Sequence, residues 1–158
     1  MLNLISKKND VIINTDIRDK ILGIESIMFM RKDIQIEVPV THYFSTGVYA
    51  REIFIPKGSL IVGKIHKYDQ INIISKGDIS VVSEQGPIRI KAPYTIVSPA
   101  GTKRIAYVNE DTVWTTIHPN PKDEKDLDKL EDTLIAKSFE DFEKFQLDCK
   151  TSLLKEIN

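Results

Sequence analysis

Residues 58–77 read GSLIVGKIHKYDQINIISKG. Two short runs rich in Ile and Val, LIVGKI and INIIS, are joined by the polar KYDQ and closed at each end by a glycine. Runs of this length and composition, bounded by turn formers, predict strands. Side chains alternate across a strand, so Lys64 and His66 fall on one face. The stretch reads as a hairpin that sets a cation beside an imidazole.

The same signature extends in both directions. IQIEVPV alternates, and YAREIFI sets Tyr49, Arg51, Ile53 and Ile55 on one face against Ala50, Glu52 and Phe54 on the other. ISVVS, IRIKA, TIVS, RIAYV and VWTTI follow. Turn formers separate these runs at Pro56-Lys57-Gly58, Lys76-Gly77-Asp78 and Gln85-Gly86-Pro87. Alternation also puts Trp114, Thr116 and His118 on one face. Many short strands at regular spacing predict an antiparallel β-sandwich or barrel over residues 35–118.

Helical patterns flank that region. In residues 1–34, Ile17, Ile21, Ile24 and Met28 recur at helical spacing, with Thr15 or Asp16 available as an N-cap. In residues 119–158, Pro119 and Pro121 end the last strand, and Leu127, Leu130 and Leu134 follow a helical period. Ser138 with Asp141 resembles a capping box for a second helix carrying Phe139, Phe142 and Phe145. About the last sixteen residues are expected to fray. The apolar faces of Phe139, Phe142, Ile21, Ile24 and Met28 suit either a subunit interface or the chain's own barrel.

Composition narrows the class. With 158 residues, 41% hydrophobic and 28% charged, the chain has enough apolar content for one domain with a core. No apolar run approaches the roughly 18 residues of a membrane span. The opening MLNLISKKND meets charge too soon for a secretory signal, so a cytoplasmic location and no membrane partner are expected. A lone cysteine, Cys149, excludes an internal disulfide or a Cys-rich zinc site. Residues 1–118 carry 15 Lys/Arg against 12 Asp/Glu and residues 119–158 carry 7 against 11, a mildly basic body with an acidic tail. No basic stripe marks a nucleic-acid partner. No nucleophile elbow, P-loop or dinucleotide fingerprint occurs.

The turn residues and polar positions together carry a resemblance to the cupin superfamily. Its first motif is G, five residues, H-x-H, three or four residues, E, six residues, G. Here Gly58, Lys64-Ile65-His66, Gln70 and Gly77 keep those spacings. Its second motif is G, five residues, P-x-G, two residues, H, three residues, N. Pro99-Ala100-Gly101 supplies the P-x-G, Arg104 takes the histidine place, Pro93 stands at the leading glycine, and Asn109 comes one residue late. A looser likeness, through VTHYF, YAREIFIPKG, GKIH, SPAGTKR and DTVWTTIH, is to small cupin-like proteins of tailed bacteriophages. That likeness implies the host cytoplasm and no particular activity.

In metal-binding cupins the three histidine and glutamate places of the first motif and the histidine of the second hold a divalent transition metal. Here they are Lys64, His66, Gln70 and Arg104, of which only His66 is a good ligand. The resemblance implies that these residues point inward; Arg51 on a preceding strand joins them if its face is the inner one, and Asn72 adds a neutral donor and acceptor. An inner face of Arg51, Lys64, His66, Gln70, Asn72 and Arg104 suits an anion, such as a carboxylate, a nucleotide or a sugar phosphate. The expected function is therefore non-catalytic binding or sequestration of a small anionic ligand, with no cofactor and a homo-oligomeric state. Three alternatives stand beside it. One is a metal-dependent oxygenase or isomerase with relocated ligands His42, His66 and His118. Another is a His66–tyrosine acid/base pair, with no single tyrosine marked out. The last is a structural or assembly protein in which Lys64 and Arg104 merely pair with Glu52, Asp69 or Glu110.

Overall fold

The computed structural model describes residues 15–156. The opening MLNLISKKND lies outside that range. In chain order the elements are α1 (Thr15–Met30), a 3-10 turn (Lys32–Ile34), β1 (Val40–Ser45), β2 (Gly47–Ile55), β3 (Leu60–Val62), β4 (Ile65–His66) and β5 (Gln70–Ser83). They continue with β6 (Gly86–Lys91), β7 (Tyr94–Ser98), β8 (Arg104–Asn120), α2 (Leu127–Leu134), β9 (Ile135–Ala136) and α3 (Phe139–Glu156).

The two long strands organise the rest. β5 and β8 pair antiparallel from Ile71↔Ile117 to Ser83↔Arg104, with register shifts between Ile74 and Ile79. At that irregularity Gly77 has φ +103°, and a side chain there would meet Thr112 and the Asp111 carbonyl. Bulges bend strands and sharpen their twist, so each long strand serves two layers. One layer runs β1-β2-β8-β5-β7 and the other β3-β8-β5-β6. Inward residues of both layers meet in one core, with Ile53, Ile55, Ile74 and Trp114 from the first and Ile79, Val81, Ile90, Ala106 and Val108 from the second. The mainly β class, with helices before and after the strands, is as expected.

Several boundaries differ from the sequence reading. Lys76-Gly77-Asp78 is the bulge inside β5 and not a turn between two strands. RIAYV and VWTTI are one strand, and β8 continues through Pro119, opposite Val48, to Asn120. A proline near a strand end removes a single donor, which the ladder tolerates. IQIEVPV forms no strand before Val40. Pro39 has no N–H to donate, only its carbonyl bonds inward, to the Phe54 N–H, and Ile34 and Ile36 stay exposed.

The helices attach by different means. α1 already includes Thr15 and Asp16, so neither precedes it as a cap, and of its apolar spacing only Ile21 is deeply buried. Arg18 bonds Glu84 at 2.7 Å and lays its guanidinium over the Phe139 ring at 3.5 Å, while buried Lys103 bonds Glu25 at 2.7 Å. α2 is capped by Asp126, which accepts the N–H groups of Asp128 and Lys129, and it buries Leu130 and Leu134. The Ser138 hydroxyl accepts the Asp141 N–H, and the Asp141 carboxylate reaches back to the Lys137 N–H rather than to that of Ser138. α3 is helical through Glu156, where fraying was expected. Phe142 is buried with Ile65 and Ala136, and Phe139 and Phe145 pack beside it, so these rings cover the chain's own strands. The short pairing of β4 with β9 brings the chain after α2 back onto the barrel. Among the described residues no helix is long and apolar enough to cross a membrane.

Candidate functional site

Strand alternation builds one polar face. Arg51 on β2, Thr116 on β8 and Asn72 on β5 lie in one row across the sheet, and Tyr49 pairs with His118 in the next. This face, the β3–β4 segment and the overlying α2 enclose a cavity of about 350 Å³. All six residues selected from the sequence, Arg51, Lys64, His66, Gln70, Asn72 and Arg104, border it, as do His42, His118, Tyr49 and Trp114.

The deep end is a closed hydrogen-bond network. Asn72, 1% exposed, donates to the Ser98 hydroxyl at 2.8 Å and accepts from Trp114 Nε1 at 2.9 Å and the Thr116 hydroxyl at 3.0 Å. Arg104 donates through Nη1 to Ser98 at 2.9 Å. A guanidinium has only donors, so the Gln70 amide must turn its oxygen toward Arg104 Nη2, at 2.9 Å. The Gln70 amide nitrogen then donates to His66 Nδ1 at 3.0 Å, which puts the His66 proton on Nε2. The Arg104 stem lies close against Gly63, where a Cβ would come within 3.0 Å of its Cγ. Burial lowers the Arg104 pKa to about 10, which leaves it cationic at neutral pH.

One wall is a column of rings. His66 stacks on His118 with centroids 5.0 Å apart, His118 on Tyr49 at 5.9 Å, and Tyr49 on His42 at 6.0 Å. The Tyr49 hydroxyl and His42 Nδ1 are hydrogen-bonded at 2.8 Å. Burial, followed by His118 and the cations Arg104, Arg51 and Lys64, pushes the His66 imidazole down to about 3. Burial and Arg51 push His118 down to about 4. Both rings are neutral at pH 7.

The two arginines differ. Arg104 is engaged by Ser98 and Gln70, whereas Arg51 has no hydrogen-bond or carboxylate partner among the described residues. The His118 side chain, on a residue 5% exposed, likewise makes no hydrogen bond among the described residues. Every fully buried side-chain nitrogen and oxygen among the described residues has a partner. The unpartnered His118 nitrogens are therefore the ones that face the cavity.

Lys64 sits elsewhere than expected. Its side chain is 58% exposed at the mouth and bonds Glu131 of α2 at 2.6 Å. Glu52, Asp69 and Glu110, the acids considered from the sequence, pair with neither Lys64 nor Arg104. Glu52 accepts from Thr115 and Tyr43, and Asp69 from the Ala100 N–H. The acidic contribution of Asp128 and Glu131 to the mouth had no local sequence signal, because it arises from the path of α2 over the barrel.

The residues do not fit a divalent cation. Lys64 and Arg104 stand at two ligand places of the first and second motifs, and Gln70 occupies the third as a neutral amide spent on Arg104 and His66. The lone pair of His66 Nδ1 is already taken. His42, His66 and His118 border one cavity, but their rings lie face to face with Tyr49 between two of them instead of converging on a point. Among the described residues no group of three His, Cys, Asp or Glu could hold a metal ion.

No protein-family model and no curated protein matches the chain. Solved structures of similar shape include the plu4264 protein from Photorhabdus luminescens, at TM-score 0.48 and 13% identity over 61% of this chain and 88% of that one. KdgF from Halomonas sp. matches at TM-score 0.47 and 18% identity, covering 56% and 86%. A cupin superfamily protein from Desulfitobacterium hafniense matches at 0.47 and 13%, covering 54% and 79%. The fold itself stands on the strand order and register described above.

Proposed function

We propose that the cavity binds a small anionic ligand without acting on it chemically. The observation that carries this reading is Arg51, a cation bordering a half-enclosed cavity with no partner of its own among the described residues. A half-buried guanidinium without a carboxylate partner is stabilised by an incoming oxyanion, which it meets with two parallel N–H donors. His118 and the Nε2–H of His66 add neutral donors beside it. Arg104 acts at one remove, fixing Gln70 and through it the His66 tautomer. The chain is then a sequestering protein. If it is phage-encoded, as the second resemblance implies, the natural ligand is a host metabolite.

Trp114 is the chain's single tryptophan and borders the cavity, so its fluorescence reports occupancy. Titrating purified protein with acetate and with inorganic phosphate is expected to give a saturable change for at least one of them. Arg51→Gln is expected to weaken it at least tenfold. Unchanged affinity in that variant overturns the reading, as does elemental analysis finding about one transition metal per chain. Native mass spectrometry of the same sample reads the oligomeric state, for which we propose a homo-oligomer.

A further inference from the structure

The charge inventory of the cavity narrows the ligand further. Its border holds three cations, Arg51, Lys64 and Arg104, and two carboxylates, Asp128 and Glu131, a net of one positive charge with the histidines neutral. Lys64 is neutralised by Glu131, and Arg104 is hydrogen-bonded within the fold. Arg51 alone remains, one guanidinium for one singly charged group. The mouth works against more charge than that, because Asp128 has no cationic partner within 4.0 Å among the described residues and faces whatever enters.

Away from the polar and aromatic face of the sheet, the lining is apolar. Ile53, Ile61 and Ala106 come from the barrel side, and Leu127, Leu130 and Leu134 come from α2. A sugar or a polyphosphate would leave its hydroxyls and oxyanions against these side chains without partners, which is unfavourable. A hydrocarbon body gains from the same contact.

We propose that the ligand is an apolar monocarboxylate, its carboxylate held bidentately by Arg51 and its hydrocarbon body lying between Ile53, Ile61 and Ala106 and the leucines of α2. This rests on the anion-binding reading and replaces phosphate-rich metabolites with a fatty or aryl acid of modest size.

Calorimetric titration of the full-length protein with acetate, butyrate, hexanoate, benzoate, 1-hexanol, inorganic phosphate and glucose 6-phosphate tests it. Affinity is expected to rise from acetate to hexanoate by up to about fourfold per added methylene. Hexanoate is expected to exceed both 1-hexanol and glucose 6-phosphate by tenfold or more, and Arg51→Gln to reduce hexanoate binding at least tenfold. The proposal is overturned if either phosphate binds more tightly than hexanoate, or if acetate and hexanoate bind alike, results that leave anion binding itself standing. Absence of binding by every anion overturns both readings together.

Discussion

Arg51 and Arg104 show how one residue type takes two roles in one cavity. Arg104 donates to Ser98 and Gln70 and so belongs to the fold, while the Arg51 guanidinium has no partner among the described residues. The histidines between them make a titratable prediction. Both are held neutral, with pKa values of about 3 for His66 and about 4 for His118, below the ~6.5 of an unfolded chain. As pH falls below 6.5 the unfolded chain takes up these protons and the native state does not. Stability is therefore lost on acidification, down to about pH 4 for His118 and about pH 3 for His66, and is insensitive to these groups above pH 7. The slope is about 1.4 kcal/mol per pH unit for each ring. Urea midpoints at pH 7.5, 6 and 5 are expected to fall in the wild type and to fall about half as steeply in His118→Gln. An identical slope in the variant would refute the assignment. At this scale the sequence was informative in part: alternation put Trp114, Thr116 and His118 on one face and Tyr49 and Arg51 on another, while the resemblance, not the alternation, implied which face is the inner one. The Lys64–Glu131 pair was not legible, since its partners lie 67 positions apart along the chain and nothing local announces their meeting.

Elements decide what those residues face. α2 is capped at one end by Asp126 and handed directly into β9 at the other, so its leucines are fixed over the mouth of the cavity. β9 in turn sits on β4, and the junction is filled by Phe142 of α3. Gly101 is the tight point of that packing. It has φ +78°, and a Cβ there would come within 2.7 Å of Phe142 Cζ. Gly101→Ala is expected to cost about 1–2 kcal/mol for the backbone conformation and about 1–3 kcal/mol more for displacing the ring. Gly47→Ala shares the positive φ but meets nothing within 4 Å, so it should show the first cost alone. Equal losses in chemical denaturation would mean that the ring moves aside freely. Helix existence was legible from leucine and phenylalanine spacing. The β4–β9 bridge was not, because a two-residue strand carries no periodic signal.

For the molecule as a whole, the alternation and turn glycines made the β class readable, while the bulge at Gly77 misled. A Lys-Gly-Asp triplet has the composition of a turn, and only the close approach of Thr112 shows why the glycine is needed inside a continuous strand. That continuity has a further consequence. β8 is hydrogen-bonded to β2, β3 and β5, and it carries the fully buried Val108 and Thr112. Its inner amide protons reach solvent only when both layers come apart, so hydrogen–deuterium exchange should be slowest there and faster in α1, whose apolar side chains are largely exposed. Faster exchange in β8 than in β6 would contradict the layer scheme. Trp114, Thr116 and His118 lie on this same strand. The β8 wall of the cavity thus belongs to the last part of the chain to open, and any molecule bound there would leave by a change at the mouth while the barrel keeps its protons.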